Sequence, residues 1–386
     1  MKEKLRIIQM ISNYRWTGAA DPAVSLAAEL RRMGHEVLFI CGGKGSLEEE
    51  AEKRDLAMDT SLNLGRTNGP AALVRDFFRL KKIITDFQAD VLHLHLSHDH
   101  MLGGLAAKFS GREKLVVART HHKVDKIRQD PLHTFIFNRL TDLNVLLSQN
   151  SMRKTSSFLK HQLVVPGGVD LKQFKESITG NKARLKYGLG KNRILLGLVS
   201  HMRAHRGHEQ ALEAFNRISE GFPDARLVFL GESDKDYKKQ LERLVMKLEL
   251  ESKVIFMVDK EDDWPQMLGA IDVSMYLALG SEGSARAVLE SMALGKPVIA
   301  ARVGAVPEIV EHNQSGIIVP EGDRTALSDA MTTLLHYEEK RAEMGRQGLQ
   351  IIKKGFRSEY RAEKITQAYF DVLQKKESSS NLKVIP

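Results

Sequence analysis

The sequence predicts an α/β protein built from two doubly wound domains, and three observations support this. Short apolar strands alternate with amphipathic helical segments along most of the 386 residues, a pattern typical of parallel sheets covered by helices. The alternation stops at a Pro-Gly-Gly-Val-Asp turn over 166–170, gives way to a polar stretch that extends to Lys191, and then restarts. A chain of this length is also long for one hydrophobic core and suits two domains.

The first half begins with a strand over 5–11. Asp21 and Pro22 are predicted to open the first helix, as its N-cap and a first-turn proline, and Gly34 follows its end. Hydrophobic patterning then predicts, in order, a strand at 36–41, a helix at 70–87, a strand at 91–95, a helix at 100–109, a strand at 115–118, a helix at 132–140, and strands at 144–148 and 163–165.

The second half repeats this alternation, with a strand at 194–199, a helix at 207–218, a strand at 226–231, a helix at 235–248, strands at 254–257 and 273–277, a helix at 286–294 closed by Gly295, and strands at 297–301 and 316–319. An amphipathic tail helix is predicted from 358 to about 373, and serines 378–380 with the last residues are expected to be disordered. The sequence thus predicts Rossmann-like domains at 1–172 and 190–357 with a linker at 173–189, and ligands at the carboxyl ends of the strands, facing the cleft.

Composition is ordinary for a soluble globular protein, with 42% hydrophobic and 28% charged residues. Cys41 is the single cysteine, so no internal disulfide forms and a reducing compartment is expected. The N-terminus lacks the apolar core of a signal peptide, and no run of 18 apolar residues occurs. These features predict a cytoplasmic protein that does not span a membrane.

The net charge of +9 is concentrated in the first part of the chain. Residues 1–170 hold 25 basic against 19 acidic side chains, and residues 108–128 hold seven against two. Such a surface suits anionic lipid headgroups, an anionic acceptor or nucleic acid, or it is simply solvated. No aromatic-interleaved basic motif or helix-turn-helix pattern supports nucleic acid.

The most informative segment lies between 280 and 321. Glu282 precedes three small residues, Gly283, Ser284 and Ala285, and Glu290 follows about one turn into the next helix. A small-residue loop that leads into a helix N-terminus favours a phosphate, because free N–H groups and the helix dipole converge there. The two carboxylates are suited to accept hydrogen bonds from ribose and sugar hydroxyls. The alternative is an ordinary βαβ unit with exposed glutamates.

The whole string GSEGSARAVLESMALGKPVIAARVGAVPEIVEHNQSGIIVPE resembles the signature of retaining glycosyltransferases of the GT-B fold, the large family 4-like group that includes sucrose, mannosyl and lipopolysaccharide-core transferases. The 166–170 turn is similar to the family's Pro-Asn-Gly-Val-Asp interdomain turn, with Gly167 in place of Asn. The resemblance implies an acceptor-binding first domain, a donor-binding second domain, and a tail helix (358–376) that crosses back to the first.

A basic segment follows the strand at 194–199. The family usually carries Gly-Arg-Leu, three residues, and Lys-Gly here, so Arg206 falls on the Lys position and His201 on the Arg position. The resemblance implies that Arg206 neutralises the donor diphosphate, and Arg203 is placed to replace the missing charge. A guanidinium is a bidentate partner for phosphate. The alternative is a basic loop that caps the next helix.

Histidines cluster in the first domain. His93 and His95 have the spacing of one strand face and could ligate zinc, but no cysteine or carboxylate group completes a set. The string Arg-Thr-His-His at 119–122 is similar to the family's Arg-Thr-x-His, which implies that His122 contacts the sugar near its reactive carbon. A slip of one residue would select His121 instead. His95 is then expected on the acceptor side, and Gly18, before the first helix, near donor phosphate or acceptor.

Asp234 and Asp236 match the Asp-x-Asp spacing of manganese sites, but they stand at a helix start, where acidic side chains favour the dipole. The expected protein is therefore a metal-independent retaining glycosyltransferase without a cofactor. It would move sugar from a nucleoside-diphosphate sugar, with UDP, GDP and ADP all open, to a glycan or lipid-linked acceptor in polysaccharide or lipopolysaccharide biosynthesis. Its expected location is cytoplasmic or peripheral on the inner membrane face. The alternatives are a nucleotide-sugar epimerase of the same fold and a non-catalytic peripheral membrane protein.

Overall fold

The computed structural model describes residues 4–16, 18–64, 69–122, 130–159, 161–257, 263–277 and 285–382. The chain forms two compact units. The first comprises the chain up to Gly168 together with the tail that begins at Ser358, and the second comprises the described residues from Val169 to Arg357. Each unit is a parallel sheet with helices on both faces. The α/β class predicted from the alternation of strands and helices is confirmed.

The first unit contains a seven-stranded sheet in the order β3-β2-β1-β4-β5-β6-β7. Its strands are β1 (Arg6–Ile11), β2 (Glu36–Cys41), β3 (Ala57–Asp59), β4 (Val91–Leu94), β5 (Val116–His121), β6 (Leu143–Leu146) and β7 (Gln162–Val164). Its helices before the unit boundary are α1 (Ala20–Arg32), α2 (Ser46–Glu52), α3 (Pro70–Asp86), α4 (Ser97–Lys108), α5 (Pro131–Arg139) and α6 (Gln149–Thr155).

The second unit contains a six-stranded sheet in the order β10-β9-β8-β11-β12-β13. Its strands are β8 (Ile194–Val199), β9 (Ala225–Leu230), β10 (Val254–Met257), β11 (Val273–Tyr276), β12 (Val298–Ala301) and β13 (Gly316–Val319). Its helices are α7 (Asn181–Lys186), α8 (His208–Asn216), α9 (Lys235–Lys247), α10 (Trp264–Gly269), α11 (Arg286–Ala293), α12 (Val306–Ile309), α13 (Arg324–His336) and α14 (Glu338–Gly355). The strand order reverses beside β1 in the first sheet and beside β8 in the second, and ligands of doubly wound folds bind at such switch points.

Alternation along β1 shows how the first sheet is buried on both faces. Ile7 and Ile11 pack into the core that includes α1, whereas Ile8 and Met10 pack into the core on the α3 and α4 side. Successive side chains of a strand point to opposite faces, so one strand serves both cores. Burying each such side chain contributes about 1.5–3 kcal/mol. The polar Gln9 lies on the same face of the sheet as Ile7.

The tail helix α15 (Ser358–Leu382) belongs to the first unit, as predicted. Ile365 and Tyr369 are fully buried in the same core as Ile7. The helix is longer than the sequence predicted: it continues through serines 378–380, which were expected to be disordered. Lys376 stabilises this part of the helix, because its Nζ donates to Asp142 Oδ2 at 2.7 Å and to the Leu115 carbonyl at 2.6 Å, next to the sheet.

Two further predictions are corrected. Helix α1 begins at Ala20 with Ala19 as N-cap, so Asp21 lies within the first turn and is not the cap. Pro22 is tolerated there because the first N–H groups of a helix have no intrahelical partner. The segment 173–189 is not a free linker either: Phe174 and Leu189 are buried in the core of the second unit.

Candidate functional site

The first unit presents its histidines on both faces of the sheet. The side chains of Thr120 and His122, from the end of β5, lie on the same face as His93 and His95, whereas His121 lies on the opposite face. This separation follows from the pleat, which directs neighbouring residues to opposite sides. The two histidines that the sequence left as alternatives therefore have different surroundings.

His122 and His95 lie together. His122 Nε2 is 3.3 Å from His95 Nδ1, and the ring centroids are 5.5 Å apart. His95 Nε2 is 2.7 Å from Oε1 of Gln9. Burial, with the nearby Arg119 guanidinium, holds the pKa of His122 well below its usual range, and burial does the same to the pKa of His95. Both imidazoles are therefore neutral at pH 7, which suits hydrogen bonding to a sugar.

His121 is in a structural setting. Its Nε2 is 2.9 Å from Asn144 Oδ1, and its ring packs near Phe137 with centroids 5.6 Å apart. Burial lowers the pKa of His121 to about 3. The His121 ring thus contacts side chains of its own unit, whereas Nδ1 of His122 has no hydrogen-bond partner among the described residues. His122 therefore keeps a buried ring nitrogen without such a partner in the described part of the chain, and its contact with a ligand stays a prediction.

Arg119 and Asp99 are buried ionisable residues that sequence reasoning did not single out, and Nε and Nη1 of Arg119 have no hydrogen-bond partner among the described residues. Burial lowers the pKa of Arg119 to about 10, and the Asp99 carboxylate opposes this change. Asp99 accepts hydrogen bonds at 2.7 Å from the backbone N–H groups of Ser12, just after β1, and Leu96, just after β4. Arg119 was visible only as the first residue of the Arg-Thr-His-His string.

Gly18, the predicted loop residue, lies in the turn before α1. No described atom lies within 4 Å of a Cβ built on it, so packing does not require a glycine at this position. The neighbouring Thr17 lies outside the described residues. Gly18 therefore keeps its predicted role on the basis of the resemblance alone.

The second unit presents cations at the carboxyl end of β8. Arg206 is half-buried and Arg203 exposed, and neither makes a hydrogen bond or ion pair with a described residue. Burial, followed by the charge of Arg203, lowers the pKa of Arg206. His201 is exposed, with Nδ1 4.0 Å from Oε2 of Glu232. Half-buried arginines normally have anionic partners, so this pair is suited to an anionic ligand.

Gly207 holds Arg206 at the start of α8. Its φ is +85°, and an added Cβ would lie 2.4 Å from the Cβ of Leu277. A residue other than glycine would thus be both strained and in collision, which requires glycine at the junction of strand and helix. Backbone conformation and packing therefore explain why this chain has glycine at 207, the position that follows the family's Lys.

Glu290 is buried in α11, and its carboxylate has partners within the unit. Trp264 Nε1 donates to Oε2 at 2.9 Å, and Arg286 Nε donates to Oε1. A carboxylate has about four lone-pair sites, so besides Trp264 and Arg286 it can accept hydrogen bonds from ribose hydroxyls. Ala285, the N-cap of α11, is buried with a left-handed φ of 45°. Trp264 and Arg286 were not predicted as part of this group.

The predicted residues Glu282, Gly283 and Ser284 lie outside the described residues. The Asp-x-Asp pair is described: Asp234 is the N-cap of α9 and accepts hydrogen bonds from the backbone N–H groups of Asp236 and Tyr237. That carboxylate has the capping role predicted for it. Across the described ranges, no group of three or more His, Cys, Asp or Glu side chains is arranged to hold a metal ion. Within the same ranges, no helix is both long and apolar enough to cross a bilayer.

Comparisons with known proteins agree with this architecture. Residues 16–173 match the family described as Glycosyltransferase Family 4, and residues 181–350 match the family described as Glycosyl transferases group 1. The N-acetyl-alpha-D-glucosaminyl L-malate synthase of Bacillus anthracis is 25% identical, over 92% of this chain and 94% of its own. The GDP-mannose-dependent monoacylated alpha-(1-6)-phosphatidylinositol monomannoside mannosyltransferase of Corynebacterium glutamicum is 27% identical, over 67% of this chain and 71% of its own.

Among solved structures, Anabaena HepE in complex with UDP and glucose superposes with a TM-score of 0.80 at 19% identity, covering 94% of this chain and 98% of HepE. A likeness at this identity shows the fold, which is GT-B. The two family matches together cover residues 16–173 and 181–350, and the fold agrees with them. The chain therefore belongs to the family 4, group 1 glycosyltransferases.

Proposed function

We propose that this glycosyltransferase takes its sugar from a nucleoside-diphosphate sugar and transfers it, with retention at the anomeric carbon, to an acceptor hydroxyl on a glycan or glycolipid. The observation that carries this proposal is the half-buried Arg206 beside Arg203, without an anionic partner among the described residues, at the carboxyl end of the switch-point strand β8. A diphosphate is the ligand that such a pair neutralises.

Each proposed role follows from the chemistry of the side chain. Arg206 and Arg203 stabilise the charge of the departing diphosphate, and Glu290 accepts hydrogen bonds from the ribose hydroxyls. His122 and Glu282 orient the sugar. The bond from the anomeric carbon to the diphosphate oxygen breaks, the acceptor oxygen bonds to that carbon on the same face, and the acceptor proton passes to the diphosphate.

The relatives support the substrate classes. HepE binds UDP and glucose, and the name of the Corynebacterium enzyme specifies a GDP-mannose donor and an anionic lipid acceptor. The name of the Bacillus anthracis enzyme specifies the synthesis of a glucosaminyl L-malate, in which malate is a small organic anion. An anionic acceptor fits the basic balance of residues 1–170. We propose that the acceptor belongs to cell-surface polysaccharide or lipopolysaccharide biosynthesis.

The proposal is tested with a panel of UDP-, GDP- and ADP-sugars, by following nucleotide release with and without acceptor lipids and small organic acids. We expect one donor to give release, and EDTA to leave the rate within about twofold, because Arg206 and a helix N-terminus supply the positive charge that a metal would supply. Proton NMR of the product reports its anomeric configuration.

Other outcomes of the panel identify the alternatives. Conversion of the nucleotide sugar without release would indicate an epimerase, and a lack of both binding and release would indicate a non-catalytic protein. Complete loss of transfer in EDTA, restored by manganese, would overturn the metal-independent mechanism and return attention to Asp234 and Asp236.

A membrane role for the first unit is a separate proposal. Helices α3 and α4 carry exposed apolar side chains, among them Phe78, which is 62% exposed, and Phe109, just after α4, which is 60% exposed. Arg75, Arg79 and Lys82 on α3 are also exposed. Exposed aromatic side chains on or next to the same helices as exposed cations suit the interface of an anionic bilayer, where each basic residue contributes about 1 kcal/mol.

We expect co-sedimentation with liposomes to rise with anionic lipid and to fall as salt is raised, because salt screens charges beyond about 8–10 Å. Changing Arg79, Lys81 and Lys82 together to Glu should abolish it and leave nucleotide binding intact. The matched control is the same reversal at three exposed cations of α14, Lys340, Arg346 and Lys354. Equal binding to neutral and anionic liposomes, or binding to neither, would contradict the proposal.

A further inference from the structure

A buried chain of hydrogen bonds connects the tail helix to His122. Its members lie on one face of the first sheet and are all buried: Thr120, His93, Tyr369, Gln9, His95 and His122. Tyr369 contributes from α15, whereas the others come from β1 and the strands β4 and β5 or their ends. A polar chain in an apolar core requires a reason, since burying polar groups there is costly unless each is satisfied.

Each link of the chain sets the next, beginning from the side-chain amide of Gln9. Its Nε2 donates to the Tyr369 hydroxyl at 3.4 Å, and its Oε1 is 2.7 Å from His95 Nε2. An amide oxygen only accepts, so His95 carries its proton on Nε2 and leaves Nδ1 as an acceptor. His122 Nε2 is 3.3 Å from that Nδ1 and must therefore carry the proton.

The consequence for His122 is a defined tautomer. A neutral imidazole has one N–H, so the proton on Nε2 leaves Nδ1 with a lone pair. That Nδ1 is the atom of the ring without a hydrogen-bond partner among the described residues. It can accept a hydrogen bond from a hydroxyl but cannot donate one.

The other end of the chain keeps the same direction. The Tyr369 hydroxyl accepts from Gln9, which leaves its own proton available for His93 Nδ1; His93 Nε2 then donates to the Thr120 hydroxyl oxygen at 2.7 Å. Reversal of the Gln9 amide would reverse every link and place the proton of His122 on Nδ1. In the structure the Gln9 amide donates to the Tyr369 hydroxyl, which α15 supplies, and this contact corresponds to the first direction.

We propose that Gln9 and Tyr369 are positioning residues that hold His122 as the Nε2–H tautomer, so that its Nδ1 accepts a hydrogen bond from a hydroxyl of the donor sugar. This rests on the proposed function for the role of the sugar, but the tautomer itself is a property of the protein alone. It gives the tail helix a part in the reaction beyond packing.

The tautomer is measured by long-range proton–nitrogen NMR on protein labelled with ¹⁵N-histidine, which separates Nε2–H from Nδ1–H rings without turnover. The His122 resonances are assigned by their loss in His122→Gln. We expect His122 and His95 to be Nε2–H tautomers. A His122 ring protonated on Nδ1 would overturn the inference, even in a chain that transfers sugar.

Tyr369→Phe removes the hydroxyl and frees the Gln9 amide to turn. We expect a mixture of His122 tautomers and a kcat about five- to tenfold lower, with the KM for the nucleotide sugar within about twofold, since the lost hydrogen bond acts on the sugar and not on the nucleotide. The matched control is Tyr360→Phe, a half-buried tyrosine of the same helix, which should change neither.

Gln9→Met gives a second route if Tyr369→Phe unfolds, because it removes the amide and keeps the volume. It should also mix the tautomers of His95 and His122. Unchanged tautomers with unchanged kcat in a folded variant would overturn the positioning role. A wild-type chain that transfers no sugar would contradict the proposed function instead, and the NMR spectrum would still decide this inference.

Discussion

Replacing Arg206 by Ala is expected to lower kcat/KM for the nucleotide sugar by about 100- to 1,000-fold, the range typical of removing one donor that stabilises negative charge developing in a transition state. Arg206 is half-buried at the end of β8 without an ion-pair partner among the described residues, so its charge is poorly screened. Initial rates at varied donor concentration measure the effect.

Two further variants test whether the charge and geometry of Arg206 cause the loss of rate. Arg206→Lys keeps the charge but loses the bidentate geometry, so it should recover a large part of the rate without restoring it fully. Arg217→Ala, an exposed arginine just after α8 that donates to Thr325, should leave the rate unchanged. Equal rates in Arg206→Ala and wild type would remove Arg206 from the donor site.

Glu290→Ala should weaken the affinity for the free nucleoside diphosphate by about ten- to a hundredfold, because a hydrogen bond to a charged acceptor contributes roughly 1.5–3 kcal/mol. Isothermal titration calorimetry measures this directly. The same change leaves Trp264 Nε1 and the Arg286 guanidinium without their carboxylate, so we also expect a lower melting temperature.

The loss of affinity and the loss of stability are separated by two further variants. Glu290→Gln keeps an acceptor oxygen for Trp264 and should be more stable than Glu290→Ala while still binding nucleotide more weakly. Glu213→Ala breaks an exposed ion pair with Arg324 in the same unit and should leave the affinity unchanged. Full nucleotide affinity in Glu290→Ala would exclude this carboxylate from the ribose site.

The hydrophobic pattern of the sequence was sufficient to predict most strands of the fold. Strands β2, β8, β10 and β13 begin and end where the sequence predicts, because buried parallel strands appear as continuous apolar runs between clear turn residues. Short elements were missed, among them β3 with three residues and α7 with six, which are too few for a periodic pattern. The longer helices α13 and α14 were not predicted either. Helix α7 is mostly exposed, with Ala183 as its buried residue, which is why its polar sequence was interpreted as a linker.

The sequence by itself determined the α/β class, the presence of two Rossmann-like domains and the family, since all of these depend on local spacing. The roles of Arg206 and Glu290 stay predictions. Only the tertiary structure decided how the histidines of the first unit differ. His121 and His122 are neighbours in sequence, yet the pleat directs one to Asn144 and the other to His95. The partners of these rings come from neighbouring strands, and Tyr369, on the tail helix, contacts His93 from 276 residues further along the chain. Spacing along a chain carries no information about contacts of that kind.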